Sequence, residues 1–199
     1  KLTASAYETK GKHIITSKIE HPAVLNTCAY LEGLGYEITY LNVDNEGFVS
    51  LEELEKSIRA DTVLISIMFA NNEIGTIQNI KAIGEIAQKN SVVFHTDAVQ
   101  AYAHVDIDVK ELCIDLLSAS AHKFGGPKGV GFLYINSGLK IKSFIHGGSQ
   151  ERKRRAGTEN VPGIIGMAKA ADLSLTDMNK SGEYTKNLQN YLIERLRNE

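Results

Sequence analysis

Lys123 lies in the stretch SASAHKFGGPKGVGFLYI, Ser118 to Ile135, among unusually small neighbours. Leu116-Leu117 before it and Val130 to Ile135 after it read as buried strand, which places the lysine in a turn at a strand end. A surface lysine needs no such setting. A lysine becomes a nucleophile toward carbonyls when its neighbours keep part of it deprotonated. A glycine-rich turn of small residues also lets a phosphate-bearing ligand approach the backbone. Two other strand patterns stop in polar clusters: Asn71 and Asn72 after VLISIMFA, and Asp97 and Gln100 after VVFHT. In open parallel sheets, ligands gather beyond the carboxyl ends of the strands. Any one of these clusters is what an ordinary strand-to-helix turn shows; their succession is more than composition predicts.

The residue types narrow the chemistry. Pyridoxal phosphate calls for a lysine that bonds its carbonyl carbon, a carboxylate for its pyridine nitrogen and donors for its phosphate. Lys123, Asp97 and the pair Ser120 and His122 are of those types. His21, in EHPAV, opens a helix after a strand and could stack on a ring, although a polar helix start is the plainer reading.

These residues need elements to position them. Apolar runs alternate with helical patterns, which predicts an α/β domain with a mainly parallel sheet and helices on both faces. Strands are expected at His13 to Ser17, Glu37 to Leu41, Val63 to Phe69, Ser91 to Thr96, Leu116 to Ser120 and Val130 to Ile135. Pro22 suits the first turn of a helix, with Val24, Leu25, Cys28 and Leu31 on one face and Gly33 and Gly35 closing it. Ser50 and Glu53 form a capping-box pattern ahead of Leu54 and Ile58. Ile80, Ile83, Ile86 and Ala87 mark another amphipathic helix. After Pro162 the pattern is helical almost to Glu199, with a polar break expected near Ser181-Gly182. The expected organisation is therefore a ligand-binding domain over residues 1–178 and a helical tail over residues 179–199.

The totals exclude several classes. With 199 residues, 43% hydrophobic and 23% charged, the chain has an ordinary globular composition. A formal charge of −2 gives no reason to expect nucleic acid or an anionic membrane as partner. No apolar run approaches the roughly 18 residues that a membrane-spanning helix needs. Two cysteines, Cys28 and Cys113, are too few for a disulfide framework, so a cytoplasmic location is expected, with both thiols in the core. GGPKGVG lacks the spacing of a Walker loop, and His95-x-Asp97 has no third metal ligand nearby in sequence. The basic run ERKRR, Glu151 to Arg155, reads as a solvated loop or subunit contact rather than a nucleic-acid patch. A start at Lys1 without methionine suggests a piece of something longer.

The segments EHPAVLNTC, SIMFANNEIGTIQ, FHTDAVQA, SASAHKFGGPKGVGFLY and HGGSQERKRRAGTENVPGIIG occur in one order over nearly the whole chain. Together they resemble the NifS-like cysteine desulfurases, class V members of the fold-type I pyridoxal-phosphate enzymes. The resemblance implies the large, cofactor-binding domain of that fold. It implies Lys123 as the Schiff-base lysine, Asp97 on the pyridine nitrogen and Gln100 on the phenolic oxygen. His21 would stack on the ring and assist proton transfers. Asn72 would bind the substrate carboxylate or the phenolic oxygen, and Ser120 and His122 the phosphate. Thr158 would reach the phosphate of a neighbouring subunit, which implies a homodimer. The implied reaction takes sulfur from L-cysteine, leaving L-alanine and a persulfide for an iron–sulfur scaffold or another sulfur acceptor. A selenocysteine lyase-type relative, or a non-catalytic fragment keeping only the fold and dimer surface, are the alternatives.

Where the sequence departs from the resemblance, it also sets expectations. The family's catalytic cysteine lies well after the Thr158 region, and neither Cys28 nor Cys113 matches it by pattern. The family's first phosphate-binding turn and its carboxylate-clamping arginine likewise have no counterpart in these 199 residues. Turnover by the isolated chain is therefore expected to be negligible.

Overall fold

A computed structural model describes residues 1–198; residue 199, the last of the expected tail, lies outside the described residues. Helix α1 (Leu2–Ala6) precedes strand β1 (His13–Ser17), followed by α2 (Pro22–Glu32), β2 (Glu37–Leu41), α3 (Leu51–Ser57) and β3 (Thr62–Ser66). Then come α4 (Ile80–Lys89), β4 (Val93–Asp97), β5 (Leu116–Ser120), a 3₁₀ turn (Ala121–Phe124) and β6 (Gly131–Ile135). A single turn, α5 (Gln150–Lys153), and the long helix α6 (Val161–Arg197) complete the order. The six strands form one sheet in the order β2-β1-β3-β4-β5-β6. All pairs are parallel except β5 with β6.

Side-chain alternation along the strands divides the core in two. Ile15, Ile65, Phe94 and Leu117 point to one face and pack with Leu54 of α3 and Ile80, Ile83 and Ala87 of α4. Ile14, Leu64, Val93 and Leu116 point to the other and pack with Ala4 of α1 and Leu31 of α2. With both faces covered, β3 is buried at every position, which explains why it reads as a continuous apolar run. Burying about 100 Å² of such apolar surface stabilises the fold by roughly 2.5 kcal/mol, so each core strand contributes several such increments.

Local expectations hold where one residue dictates the geometry. His21 caps α2 by accepting from the Ala23 N–H, with Pro22 at the first position. The Ser50 hydroxyl accepts from the Glu53 N–H at 3.2 Å, half of the expected capping box. The Glu53 carboxylate turns instead toward Asn42. Val63 to Phe69 is shorter as a strand than expected: pairing ends at Ser66, although the Ile67 and Phe69 N–H groups still donate to His95 and Asp97 carbonyls. The expected strand at Ser91 starts only at Val93, because Ser91 turns the chain with φ 55°. The expected polar break near Ser181-Gly182 is absent, and α6 runs unbroken from Val161 to Arg197. No Pro interrupts that stretch, and one exposed Gly costs only about 1 kcal/mol in a helix. Among the described residues no helix is long and apolar enough to cross a membrane.

Two imidazoles, His13 buried and His95 half-buried, staple the sheet sideways. His13 bridges Thr62 Oγ1 on β3 at 2.7 Å and Thr39 Oγ1 on β2 at 2.8 Å. His95 bridges Ser66 Oγ on β3 at 2.8 Å and Ser118 Oγ on β5 at 2.9 Å. Burial lowers the pKa of both, and pushes His95 down to about 4. The fold thus favours neutral imidazole, and that contribution is complete above the ordinary histidine value and lost as pH falls through the folded one. In thermal melts the parent should lose stability relative to His95→Gln by on the order of 2–3 kcal/mol between about pH 6.5 and pH 4.

Candidate functional site

The C-terminal ends of β1, β3, β4 and β5 open onto a cavity of about 370 Å³. His21 reaches it from the turn after β1, Asn72 from beyond β3, and Asp97 and Gln100 from the end of β4. Ser120 closes β5, and His122 and Lys123 follow on the 3₁₀ turn. His21, Asn72, Asp97, Gln100, Ser120, His122 and Lys123, assigned to the site from the sequence, therefore line one cavity, and Asn71 and Thr158 do not. Thr158 lies on the exposed segment before α6.

Each lining group has a defined setting. The Asp97 carboxylate accepts from the Val99 N–H at 3.0 Å, leaving its second oxygen for a ligand. Asp97 is the only acid among the lining residues. His21 Nδ1 accepts the Ala23 N–H at 3.1 Å, so the proton of a neutral ring sits on Nε2. The plain reading of His21 as a helix cap and the functional reading coexist in one side chain. Ser120 Oγ and His122 Nδ1 lie 2.9 Å apart, a paired hydroxyl and imidazole. Asn72 Nδ2 donates to Glu73 at the rim. Its neighbour Asn71 is structural instead: it is buried, it donates to the Ile19 carbonyl and it accepts from the Glu73 and Ile74 N–H groups.

The turn carrying Lys123 is held from three sides. His104 Nε2 donates to the Lys123 carbonyl at 3.1 Å. Ser174 of α6 donates to the Phe124 carbonyl at 3.0 Å. Gly125 ends the turn at φ 81°, a conformation that disfavours other residues. Among the described residues no ion pair involves Lys123, which lines the cavity.

Several contributors were not legible from the sequence. Ala23, Met68, Ala70 and Val99 give the cavity apolar walls, but as isolated apolar residues they carried no signal. His104 and Ser174 act on the turn from far along the chain. Glu20, next to His21, was passed over although its position just after a buried strand was visible.

The cysteines separate. Cys28 is buried at 4% exposure, and burial pushes its thiol up to about 11. Cys113 corrects the expectation of a core thiol: φ 53° turns it out of the core, and it is only half-buried. Its Sγ approaches Gln88 at 3.7 Å. It lines a separate cavity of about 690 Å³ with Val93 and Ile135, at the opposite edge of the sheet. Neither cysteine lines the cavity that holds Lys123. The basic run has positive φ at three successive residues, Glu151, Arg152 and Lys153.

Comparison with known proteins agrees with this geometry. A family profile for aminotransferase class-V matches residues 1–199. The chain belongs to the class-V aminotransferases. Among members of the family, it is 64% identical over 193 residues to the cysteine desulfurase IscS of Methanosarcina thermophila. That match covers 97% of this chain and 48% of the relative. The putative cysteine desulfurase IscS 1 of Bacillus subtilis is 50% identical, with 98% of this chain and 52% of the relative covered. The chain thus spans about half the length of the curated relatives it matches. A solved structure titled NifS-like protein superposes with a TM-score of 0.96 at 44% identity, over 99% of this chain and 55% of that one. This class-V chain accordingly has the NifS-like, fold-type I architecture.

One substitution isolates the turn from the rest of the family fold. Gly125→Ala should destabilise the chain by about 1–2 kcal/mol, because a side chain is forced into left-handed backbone. Gly125→Asn should cost distinctly less, since Asn tolerates that region best among the others. Urea midpoints of the two variants against the parent check this.

Proposed function

We propose that this chain binds pyridoxal 5'-phosphate in the cavity below Lys123 and forms the cofactor-holding part of a cysteine desulfurase. One observation carries the reading: consecutive strand ends bring a lysine, a single acid and a hydroxyl–imidazole pair around one apolar-walled cavity. The donor set fits the cofactor. Lys123 supplies the amine that would anchor it, Asp97 the carboxylate for the pyridine nitrogen, and Ser120 and His122 the phosphate donors. Ala23, Met68, Ala70 and Val99 are walls against which a flat ring packs. When bound, the cofactor supplies an electron sink for charge developing on an amino-acid substrate.

The chain's own residues then have distinct tasks. Asp97 would hold the ring nitrogen through its free carboxylate oxygen. His21 lines the cavity, and Nε2 is the nitrogen left to hold or pass a proton, because Nδ1 is committed to the helix cap. Asn72 and Gln100 offer amides at the mouth for a carboxylate or phenolic oxygen. Lys123 would supply a second base within the cavity.

Relatives named cysteine desulfurase support L-cysteine as the substrate. So does a structure titled SspA in complex with cysteine, 45% identical with a TM-score of 0.80. The sulfur-accepting thiol comes from neither Cys28 nor Cys113, since neither lines the cavity. We infer that these residues alone hold cofactor and substrate but pass no sulfur on. A homodimer, with Thr158 reaching the partner's phosphate site, a scaffold or other sulfur acceptor, and a cytoplasmic location belong to the same reading.

Borohydride reduction of the chain with pyridoxal phosphate, followed by peptide mass mapping, tests the proposal. A phosphopyridoxyl group confined to the Lys123 peptide and lost in Lys123→Ala is expected. Scattered labelling, or none, would sink it and leave a non-catalytic module. Added L-cysteine should shift the visible band of the loaded chain, with sulfide release no faster than from free cofactor.

A further inference from the structure

Glu20 is the one charged-type side chain that the structure buries beneath the cavity without using it in the reading above. It is 4% exposed, between the last residue of β1 and the His21 cap. Its Oε1 accepts two hydrogen bonds, from Ser17 Oγ at 2.6 Å and from the Met68 N–H at 2.8 Å. Its Oε2 is buried and has no hydrogen-bond partner. The Ile19 carbonyl beside it accepts from Asn71, so the turn holding Glu20 is tied twice to the chain leaving β3. Both Met68 and His21, the residues that Glu20 contacts or adjoins, line the cavity.

The asymmetry between the two oxygens is informative. A carboxylate spreads its charge over both and is costly to bury unless both are solvated or paired. A carboxylic acid has one carbonyl oxygen, able to accept two donors, and one hydroxyl. Two donors on Oε1 and none on Oε2 match the acid. The titratable group whose field reaches Glu20 is Asp97 at the end of β4, adverse to a further negative charge, while Glu20 in turn helps to raise the Cys28 thiol on α2.

We propose that Glu20 is a positioning residue for this cavity: as an uncharged acid it clamps the Met68 wall to the His21 corner and leaves Asp97 as the sole anion there. The proposal deepens the cofactor-site reading and rests on it for its consequence in binding. Burial pushes the Glu20 carboxyl up to about 7 from an ordinary 4.5, against the two hydrogen bonds that pull it down. The fold therefore favours its protonated form. That contribution is complete below the ordinary glutamate range and is lost as pH rises through about 7. The histidine staples act in the opposite sense over an overlapping range, so only a difference between parent and a Glu20 variant isolates this residue.

Glu20→Gln keeps a carbonyl oxygen for Ser17 and Met68 and replaces the hydroxyl by an amide, whereas Glu20→Ala removes the clamp. In thermal melts of the cofactor-free chain, the parent's midpoint should fall relative to that of E20Q as pH rises from about 4.5 through about 7. In titrations with pyridoxal phosphate read by the visible band, E20Q should bind within about twofold of the parent at pH 6, and E20A about tenfold more weakly. The proposal is overturned if the two melting profiles coincide, if E20Q loses as much affinity as E20A, or if E20A binds like the parent. Should E20A not fold, the parent and E20Q profiles decide alone. A parent chain that takes up no cofactor at Lys123 would defeat the functional reading but not this one. In that case the melts and the carboxyl ¹³C shift of Glu20, followed from pH 5 to about pH 9, still determine whether it is protonated.

Discussion

The site depends on one constraint: β1, β3, β4 and β5 run in the same direction and stop at the same edge. A parallel sheet delivers the residue after each strand to a common rim, whatever the sequence distance between them. Here that brings His21, Asn72, Asp97 and Ser120 together from across about half the chain. Register along the rim matters as much as direction, because a slip of one residue would turn Asp97 from the cavity face to the opposite one. His13 and His95 oppose such a slip. Each is bonded to hydroxyls on both flanking strands, so the two staples together cross every parallel strand from β2 to β5.

Those staples are polar groups placed where apolar ones would serve stability equally well. Their gain is specificity of alignment, since a hydroxyl–imidazole–hydroxyl bridge is satisfied at one register only. The condition is neutrality, and burial enforces it. Glu20 follows the same logic one layer closer to the cavity: a titratable group kept uncharged so that its geometry, not its charge, is what the site uses. Asp97 is the exception that the arrangement protects.

The lysine end is organised differently. The 3₁₀ turn after β5 has too few residues to be rigid alone. It is fixed by long-range partners, His104 on one side and Ser174 of α6 on the other, with Gly125 allowing the chain to leave abruptly. The long helix thus has a role at the site through its first half, while its second half is exposed beyond the turn.

The sequence by itself determined the alternation of strands and helices, the strand ends at which chemistry could be placed, and the identity of the lysine, acid and imidazoles. These are local signals: side-chain period, capping residues and the punctuation of glycine and proline. Its errors lay where local signals are weak. The break assigned near Ser181-Gly182 gave way to helix continuity, and Cys113 was turned out of the core by a left-handed backbone that no neighbouring residue announces. Only the tertiary structure decided which apolar residues wall the cavity, which distant groups hold the Lys123 turn, and that Glu20 is buried with one oxygen unpaired. The reason is physical. Burial and hydrogen-bond partnership are properties of neighbours in space, and a parallel sheet makes neighbours of residues that the chain keeps far apart.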